Sequence, residues 1–461
     1  MNLQFKELLN IQNCQCEFQG KPEILEQSIS GFSIDSRTIK SNEVFVAIKG
    51  DKFDGHNFIS DVHAKGVLVC MVSNFWFETQ QQEKLSGNYF LVDDTLVALQ
   101  EISHYYRLKF DIPLLALTGS NGKTTTKEMI AAVLDEKYNV LKNKGNLNNH
   151  IGVPLSLLEL TADNDIAVLE MGTNHFGEIA RLAKIAQPTC GLITNIGPAH
   201  LEFFGSLKGV YNAKRELWQF LEKNGHIAFV NIDDKLLGKD LPSVEKVITY
   251  GFENSAQVRG KFLGLDEQGK PSFRVNGKQI NLGIAGMHNI YNALAAVAVG
   301  LEFDLSMTQI KLALEKLLPT SKRMEVIRKK DLIIINDCYN SNPESARKSL
   351  LTLSQMQTNG KRIAVLADML ELGKWSESEH QGIGEYVFSL GNIDYLLTYG
   401  PLSKLTAQQA EIMGMMNAIH FEDKKEMIKY INSTVVAGDL LLIKGSRGMV
   451  MEEVTNNLIE G

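Results

Sequence analysis

Runs of consecutive apolar residues alternate with helical patterns through the middle of the chain. Residues 113–117 form a continuous apolar run, which is typical of a strand buried on both faces of a parallel sheet. The segment that follows carries apolar residues at helical spacing, at positions 129, 130, 133 and 134. Further strand-like runs occupy residues 166–169, 191–194 and 227–230. This alternation predicts a doubly wound α/β sheet.

Two further sets of strands flank this central one. Up to about residue 105 the chain has short apolar runs at 44–48 and 66–70, separated by loops rich in Asp, Gly and Asn. Beyond a break at Leu318-Pro319-Thr320, another α/β set has strand-like runs at 332–335, 363–366, 395–398 and 440–443. A chain of 461 residues fits about three domains of roughly 150 residues each. We predict an α/β protein with a small α/β domain (1–108), a central doubly wound parallel domain (109–318) and a Rossmann-like α/β domain (319–461).

Composition and charge exclude several classes of protein. Hydrophobic residues make up 44% of the chain and charged residues 22%, which is ordinary for a globular protein. The net charge of −7 argues against a general nucleic-acid binder. The apolar stretches are shorter than the roughly 20 residues that a membrane span needs, and the charged N-terminus does not resemble a signal peptide. Five scattered cysteines suit a reducing compartment. We expect a cytoplasmic protein and, without a heptad or apolar interface stripe, a monomer.

A glycine-rich loop follows the central strand at residues 113–117 and precedes a helix. Its sequence is Gly119-Ser120-Asn121-Gly122-Lys123-Thr124. The backbone N–H groups of such a loop and the helix dipole bind phosphate. Lys123 supplies a charge for the outer phosphates, and the Thr124 hydroxyl can ligate Mg²⁺. The usual motif has a further glycine where Leu117 stands, but the strand–loop–helix context still predicts a nucleotide phosphate site.

Two polar residues follow neighbouring strands and are expected at the same edge of the sheet. Glu170 closes the strand at 166–169, and His200 follows the strand and turn at 192–198, where ligands bind in doubly wound sheets. A function as a nucleotide-dependent switch protein is disfavoured because Asn143-Lys144-Gly145-Asn146 lacks the final carboxylate of the guanine-binding motif. A zinc deaminase is excluded because His200-Leu201-Glu202 has no Pro-Cys-x-x-Cys partner. A kinase and a ligase remain open at this point.

The phosphate loop and seven further blocks, in order, resemble the Mur ligase family of ATP-dependent amide-forming enzymes in bacterial peptidoglycan synthesis. The resemblance runs almost to the end of the chain. The blocks are Thr118-Gly-Ser-Asn-Gly-Lys-Thr-Thr, Asn146-Leu-Asn-Asn-His-Ile-Gly-Val-Pro, Glu170-Met-Gly-Thr-Asn-His-Phe-Gly-Glu-Ile, Asn195-Ile-Gly-Pro-Ala-His-Leu-Glu, Tyr211-Asn-Ala-Lys-Arg-Glu, Gly286-Met-His-Asn-Ile-Tyr-Asn-Ala, Arg323-Met-Glu and Asp337-Cys-Tyr-Asn-Ser-Asn-Pro.

Other blocks narrow the resemblance within the family. Asp35-Ser36-Arg37 and Gly50-Asp-Lys-Phe-Asp-Gly-His resemble a uridine-nucleotide domain, and the Asp-Asn-Pro-Arg string of the diaminopimelate adders does not occur. Asp368-Met-Leu-Glu-Leu-Gly and the blocks at 170 and 337 resemble the branch that adds D-alanyl-D-alanine. The implied partners are UDP-N-acetylmuramoyl tripeptide and D-alanyl-D-alanine. Diaminopimelate and lysine both stay open for the third residue of the peptide.

The resemblance also implies site residues and cofactors. ATP and two Mg²⁺ ions would serve an acyl-phosphate route. The implied catalytic residues are Lys123, Glu170, His200 and Lys214. The implied ATP contacts are Gly119, Ser120, Asn121, Gly122, Lys123, Thr124, Thr125, Asn289, Asn292, Arg323 and Asp337. The implied metal ligands are Thr124, Glu170, His200 and Lys214, the last as a carbamate formed with CO₂. Candidates for substrate contacts are Ser33, Asp35, Ser36, Arg37, Asn174, His175, Asn340 and Asn342.

Spacing and placement add to these assignments, and two rival functions stay under consideration. Asn289 and Asn292 are three residues apart, so on a helix they share a face. Arg323 and Asp337 lie beyond the break near residue 319, so closure of the last domain would complete the site. A folate-type polyglutamate ligase is disfavoured by the uridine-domain blocks. A non-catalytic nucleotide-binding protein is disfavoured because the implied catalytic residues are all present.

Overall fold

The computed structural model describes residues 1–80, 87–224, 226–319, 321–329 and 331–460. Within these ranges the strands form three separate sheets of five, nine and six strands. The predicted break at Leu318-Pro319-Thr320 falls between the second and third sheets, and its Thr320 lies outside the described residues. The α/β class predicted from the alternating pattern is confirmed.

The N-terminal sheet has five short strands in the order β1-β5-β4-β3-β2. Strand β1 is antiparallel to β5, and the other pairs are parallel. The strands are β1 (Glu17–Gln19), β2 (Gly31–Ser33), β3 (Glu43–Val46), β4 (Val69–Ser73) and β5 (Asn88–Val92). The helices are α1 (Phe5–Leu8), α2 (Ile59–Ala64), α3 (Asn74–Thr79) and α4 (Thr95–Arg107).

The central sheet has nine strands in the order β14-β13-β12-β11-β10-β9-β6-β8-β7. The strands are β6 (Leu114–Thr118), β7 (Val140–Lys142), β8 (Ile166–Glu170), β9 (Cys190–Ile193), β10 (Ile227–Asn231), β11 (Lys246–Gly251), β12 (Val258–Leu265), β13 (Pro271–Val275) and β14 (Lys278–Asn281). The helices are α5 (Lys123–Leu134), α6 (Gly152–Leu157), α7 (Glu178–Ala186), α8 (Leu201–Phe204), α9 (Leu207–Asn224), α10 (Asn289–Glu302) and α11 (Met307–Lys316). Pairing is parallel from β7 to β12, and β12, β13 and β14 add an antiparallel extension to the predicted parallel sheet.

The C-terminal sheet has six strands in the order β15-β16-β20-β17-β18-β19. Its pairs are parallel except for β15 with β16. The strands are β15 (Glu325–Lys329), β16 (Leu332–Asn336), β17 (Arg362–Ala367), β18 (Tyr395–Tyr399), β19 (Ala418–Phe421) and β20 (Leu440–Lys444). The helices are α12 (Pro343–Gln355), α13 (Ser376–Leu390), α14 (Ser403–Ile412), α15 (Lys424–Thr434) and α16 (Glu452–Glu460).

Strand β6 shows why the apolar runs become buried parallel strands. Leu114 and Ala116 pack into a core on one face of the sheet, and Leu115 and Leu117 pack into the core on the other face. Every residue of β6 is buried. Because helices cover both faces of the sheet, the residues that point to either face need apolar side chains. The apolar run is therefore continuous rather than alternating. The polar loop after β6 therefore emerges at an edge where the side chains are free to bind a ligand.

Helix α4 joins the N-terminal sheet to the central one. One continuous core includes Val44 and Val46 of the first sheet and Leu169 of the second. At the end of α4, the buried Arg107 guanidinium donates to the carbonyl groups of Phe110 and Ile112 and to that of Ala186, the last residue of α7. These contacts fix the first two sheets to each other.

Among the described helices, none combines the length and the apolar composition that crossing a lipid bilayer requires.

Candidate active site

The glycine-rich loop joins β6 to α5 near the middle of the central sheet. Gly122 has a φ of +78° directly before the first residue of α5, and a Cβ there would lie 2.6 Å from Asn292 Oδ1. Gly119 also has a positive φ, and a side chain there would overlap Thr194 Oγ1. Glycine suits both positions because it adopts these angles without strain and leaves room. The turn ends at a helix N-terminus, which favours an anion.

The end of β9 braces this loop. The N–H groups of Ser120 and Asn121 donate to the carbonyl and the Oδ1 of Asn195, both at 3.0 Å. Thr194 Oγ1 donates to the Asn121 carbonyl at 2.7 Å. The Lys123 ammonium folds back and donates to the Gly119 carbonyl at 2.8 Å. The loop is thus held in shape by its neighbours before any ligand binds.

A hydroxyl from the first turn of α5 and a carboxylate from the end of β8 meet beside the loop. Thr124 Oγ1 donates to Glu170 Oε2 at 2.7 Å, and Asn148 Nδ2 donates to Glu170 Oε1 at 2.7 Å. Glu170 is the last residue of β8, which pairs with β6, and it is buried. Oxygen ligands of this kind suit Mg²⁺. Among the described residues, no group of three or more His, Cys, Asp and Glu is arranged to hold a metal.

Lys123 and the buried Lys214 lie close enough to repel each other. Burial, followed by the nearby Lys123 charge, holds the pKa of Lys214 well below its ordinary value. Burial also lowers the pKa of Lys123, although Glu170 opposes this change. Lys214 lies on α9 and is 1% exposed, and among the described residues no hydrogen bond or ion pair reaches its ammonium. The structure therefore buries a lysine beside the phosphate loop, and the residues that it describes provide no counter-ion.

His200 lies at the junction with the C-terminal sheet. It follows β9, has a φ of +53° and directly precedes α8. Its Nδ1 is 2.7 Å from Glu371 Oε2, a residue beyond β17, and this contact lowers the pKa of the Glu371 carboxyl. Glu371 also has a positive φ, of +64°. The imidazole is thus oriented by a carboxylate from another part of the chain.

The two predicted asparagines of α10 form a buried chain of hydrogen bonds. Thr126 Oγ1 donates to Asn292 Oδ1 at 3.0 Å, and Asn292 Nδ2 donates to Asn289 Oδ1 at 2.8 Å. Asn289 Nδ2 then donates to the Ala285 carbonyl at 2.7 Å. The predicted shared face is confirmed, and it joins α10 to the phosphate-loop helix.

Arg323 and Asp337 have separate partners in the C-terminal unit. The Arg323 guanidinium lies 3.8 Å from the centre of the Tyr339 ring, a cation–π distance. Asp337 Oδ2 accepts from Lys444 Nζ and from Ser349 Oγ, both at 2.7 Å. Among the described residues, Asp337 therefore pairs with Lys444 and not with Arg323, whose guanidinium lies on the cavity wall.

The start of α12 touches the phosphate loop directly. Asn342 caps α12 by accepting from Ser345 N–H at 2.9 Å, and its Nδ2 donates to Asn121 Oδ1 at 2.7 Å. Asn121 Nδ2 donates to Glu344 Oε2 at 3.0 Å. Asn340 lies nearby, and its carbonyl accepts from Lys444 Nζ at 3.0 Å. Asn342, which was predicted as a substrate contact, thus contacts the nucleotide loop.

A cavity of about 620 Å³ lies between the central and C-terminal sheets. This size falls within the usual range for ligand pockets, roughly 300–1,000 Å³. The predicted residues on its wall are Ser120, Asn121, Gly122, Lys123, Thr124, Thr125, Glu170, Asn174, His200, Asn289, Asn292, Arg323, Asp337, Asn340 and Asn342. Gly119 and Lys214 lie behind this wall and are not part of its lining.

The remaining predicted substrate residues lie outside the cavity. Arg37 is 85% exposed and donates to both carboxylate oxygens of Asp35, which lowers the pKa of Asp35 to about 2. Ser33 Oγ accepts from Asp35 N–H at 3.2 Å, and the Ser36 carbonyl accepts from Lys65 Nζ at 2.6 Å. The Asp35 turn belongs to the N-terminal unit.

His175 is exposed next to the mouth of the cavity. Its ring packs against Phe203 at 5.0 Å, and its backbone N–H donates to Glu178 Oε2 at 3.0 Å. Asn174 N–H donates to the same oxygen at 2.7 Å. Glu178 thus shapes the turn that carries both predicted residues.

Several site residues were missed by the sequence argument. Asn148 and Lys444 contact Glu170 and Asp337, and Glu371 orients His200. Asn148 stands in a block that was recognised, and Glu371 stands in Asp368-Met-Leu-Glu-Leu-Gly, so both could have been proposed from their motifs. Lys444 ends a strand of uniform apolar character, and a lysine closing such a run is the signal that could have identified it.

A phosphate loop on a doubly wound sheet, faced across a cavity by a second α/β unit that places an arginine on the cavity wall, defines a nucleotide-dependent ligase or transferase. Sequence profiles agree with this class: the Mur ligase family, catalytic domain, matches residues 28–104, the Mur ligase middle domain matches 117–300, and the Mur ligase, glutamate ligase domain, matches 322–447. The chain belongs to the Mur ligase family. Members of this family are ATP-dependent, and this chain is an ATP-binding enzyme.

Individual relatives cover nearly the whole chain. The UDP-N-acetylmuramoyl-tripeptide–D-alanyl-D-alanine ligase of Bacillus subtilis is 36% identical over 443 residues, which is 95% of either chain. The crystal structure of MurF from Acinetobacter baumannii superposes with a TM-score of 0.88 at 30% identity and covers 99% of both chains. MurF from Thermotoga maritima, solved in complex with ADP, superposes with a TM-score of 0.79 at 29% identity over 93% of this chain and 97% of its own.

Proposed function

We propose that the chain joins D-alanyl-D-alanine to UDP-N-acetylmuramoyl tripeptide in peptidoglycan precursor synthesis, with ATP as the energy source. The observation that carries this proposal is the hydrogen-bonded pair Thr124–Glu170 beside Lys123, which faces Arg323 across one cavity. The relatives with this activity match along the whole chain, which supports the same substrates here. We place the reaction in the cytoplasm, where ATP is available, and expect a monomer.

Amide formation from a carboxylate requires that one carboxylate oxygen be converted into a better leaving group. A terminal carboxylate oxygen of the tripeptide attacks the γ-phosphorus of ATP, the bond to the bridging oxygen breaks, and ADP leaves. The dipeptide amine then attacks the acyl carbon of the acyl phosphate, and inorganic phosphate and a proton are released. Because two anions meet in the first step, catalysis depends mainly on positioning and on neutralising charge.

The cations around the cavity suit that demand. Lys123 is braced by the loop and presents one positive charge at the helix N-terminus. Arg323 is stacked on Tyr339, so its planar guanidinium can pair with phosphate oxygens without losing much side-chain freedom. Asn289 lies further along the wall and is assigned to the adenine end by its matching block. Asp337 is assigned to the ribose end.

The residues present fit divalent cations. Thr124 and Glu170 would hold one Mg²⁺, and His200 with a modified Lys214 would hold a second. Bound Mg²⁺ supplies charge that neutralises the phosphates and polarises the transferred phosphoryl group. Thr124 and Glu170 are already within hydrogen-bond distance of each other at 2.7 Å, so two oxygen ligands are in place.

Lys214 is the residue that we propose is carbamylated. Its lowered pKa favours the neutral amine. The nitrogen lone pair attacks the carbon of CO₂, and the nitrogen then loses a proton to water. The product carries two oxygens and a negative charge, which a hard cation can bind. The modification would also replace a buried neutral amine with an anion beside the Lys123 charge. An unmodified ammonium offers donors alone and has no lone pair for a metal.

We assign roles to three domains with the boundaries 1–108, 109–318 and 319–461. The first would bind the uridine diphosphate end through the turn that contains Ser33, Asp35, Ser36 and Arg37. The central domain would bind ATP, with Asn174 and His175 at the edge nearest the peptide. The last would supply the dipeptide site, including Asn340 and Asn342, and close over ATP. Residues 320, 330 and 461 of this last domain lie outside the described residues.

Phosphate release from ATP tests the proposal. The enzyme is assayed with UDP-N-acetylmuramoyl tripeptide and D-alanyl-D-alanine together and with each alone. We expect release that requires both substrates and yields the pentapeptide product. A folate-type polyglutamate ligase would instead respond to a folate and glutamate, and a non-catalytic nucleotide-binding protein would release no phosphate under any condition. Release that does not depend on the pair would overturn the proposal.

A further inference from the structure

A buried cation that the proposed mechanism does not use lies one helical turn beyond the phosphate loop. Lys127 on α5 is 0% exposed, and its ammonium donates to the Asn143 carbonyl at 2.6 Å. Glu128 Oε1 is 3.2 Å away and supplies a counter-charge. Removing an ammonium from water is costly, and an apolar residue of similar size would stabilise the fold at least as well. A lysine here is therefore better explained by what it holds in place.

Asn143, whose carbonyl accepts from Lys127, forms two hydrogen bonds with the backbone of Glu170. The Glu170 N–H donates to Asn143 Oδ1, and Asn143 Nδ2 donates to the Glu170 carbonyl, both at 3.0 Å. The same Nδ2 donates to the Leu147 carbonyl at 2.8 Å. This pair of contacts fixes the end of β8 against the loop that begins at Asn143.

The loop also delivers a direct contact to the Glu170 side chain. Asn148 Nδ2 reaches one carboxylate oxygen at 2.7 Å, while Thr124 Oγ1 reaches the other at 2.7 Å. Residues 144–147 are exposed, whereas Asn143 is 1% exposed. An exposed loop keeps Asn148 in register only if it is anchored, and the Lys127–Asn143 contact provides a buried anchor at its start.

We propose that Lys127 and Asn143 are positioning residues that set the orientation of the Glu170 carboxylate and, through it, the affinity of the site for a divalent cation. The proposal rests on the metal-binding role of Glu170 given above. Residues that orient a metal ligand without touching the metal commonly change the affinity by about 10- to 100-fold when they are replaced. Lys127 acts through Asn143, so replacing either residue has the same kind of effect.

Mn²⁺ binding, measured by electron paramagnetic resonance with a non-hydrolysable ATP analogue present, tests this proposal without turnover. Lys127→Met keeps the length of the side chain and removes the charge and the donor. Asn143→Ser stays neutral but is too short to bridge both backbone groups of Glu170. The matched control is Lys144→Met, which removes an exposed lysine of the same loop that pairs with Glu159 at 2.9 Å.

We expect Mn²⁺ to bind about 10-fold or more weakly to Lys127→Met and Asn143→Ser and with parental affinity to Lys144→Met. The affinity for the analogue in the absence of metal should be the same in all four proteins. If Lys127→Met fails to fold, the milder Asn143→Ser decides. A lower melting temperature with unchanged Mn²⁺ affinity would overturn the proposal and leave the proposed function intact. A parent that binds no Mn²⁺ with the analogue would overturn the metal role of Glu170 and this proposal together.

Discussion

Burial and charge divide the lysines of the site into groups with different chemistry. Lys123 keeps two carbonyl partners in the loop and a carboxylate nearby, so it can remain a cation for the phosphates. Lys214 is more deeply buried and has no such partners in the described part of the chain, and the Lys123 charge disfavours a second ammonium. The loop carbonyls and Glu170 therefore favour the charged form of Lys123, whereas burial beside that charge favours the neutral form of Lys214. The neutral amine is the form that reacts with CO₂.

Replacing Lys123 tests its role as a loop charge. Lys123→Ala should reduce phosphate release by about 100-fold or more, because a donor that faces developing phosphate charge is lost. The thermal unfolding temperature should stay within a few degrees of the parent, since the ammonium contacts loop carbonyls and no apolar core. Lys137→Ala, at an exposed position after the same helix, serves as the control. Turnover within about tenfold of the parent, or about 1.4 kcal/mol, would contradict the assignment.

Chemical rescue tests the carbamate on Lys214. Lys214→Ala should lose most of the ligase activity, and acetate should restore part of it by placing a carboxylate where the carbamate was. Lys208→Ala on the exposed side of the same helix should keep parental activity and show no response to acetate. Labelling with ¹³CO₂ gives an independent readout by NMR. A fully active Lys214→Ala variant, or a parent without a carbamate signal, would refute the modification.

His288 links the pH dependence of stability to the cavity wall. Burial lowers its pKa to about 4 from an ordinary 6.5, with Lys348 and Lys444 adding to this effect and Asp337 opposing it. Between these two values the unfolded chain binds a proton that the folded chain does not. The contribution of His288 to stability is therefore complete above pH 6.5 and falls as the pH drops toward 4.

The variant His288→Gln removes this titration. Urea unfolding of the parent and the variant between pH 4 and 7 should give a shallower loss of stability for the variant on the acid side. His175→Gln, an exposed histidine, provides the comparison and should reproduce the parental slope. Equal slopes for the parent and His288→Gln would show that the buried imidazole does not set this dependence.

Among the strands and helices, the sequence predicted those whose formation depends on local patterns of apolar residues and glycines. Strand β6, the loop and α5 follow from a buried apolar run, a glycine-rich segment and helical spacing of apolar residues. Strand β12 was missed because it alternates irregularly and half of its residues are exposed. The contacts Asn121–Asn342 and Asp337–Lys444 span 221 and 107 residues, and no local pattern encodes such pairs.

Helix α4 gives a prediction about how two units stay together. Arg107 satisfies three carbonyl groups at the junction of α4, α7 and the segment before β6. Arg107→Met should lower the free energy of unfolding by about 3 kcal/mol, because those carbonyls lose a charged donor in a buried place. Urea denaturation measures the loss, and Arg181→Met, at an exposed site on α7, should change it little. An unchanged unfolding midpoint would contradict this role for Arg107.

Across the whole molecule, the units are joined by apolar cores and by polar contacts. The N-terminal and central sheets share one apolar core, and the central and C-terminal units share another. Around the phosphate loop, the central and C-terminal units meet through polar groups, with Asn342 and Glu344 on Asn121 and Glu371 on His200. Polar contacts exchange readily with water, so the contacts around the phosphate loop are the ones suited to break and form as the C-terminal unit opens and closes over ATP.

The contact between α12 and the phosphate loop is therefore expected to govern closure. Asn342→Ser keeps a residue that can cap α12 but is too short to reach Asn121, and Glu344→Ala removes the second contact. Together they should raise the KM for ATP by about tenfold, the equivalent of about 1.4 kcal/mol, because two hydrogen bonds of the closed arrangement are lost.

Small-angle X-ray scattering with an ATP analogue should show less compaction of this double variant than of the parent. Glu377→Ala, at an exposed position on α13, should behave as the parent does. Because the variant keeps the helix cap and the ATP loop itself, a change in scattering reports the arrangement of the units rather than unfolding. Parental compaction together with a parental KM would mean that the contacts of α12 with the phosphate loop do not hold the closed state.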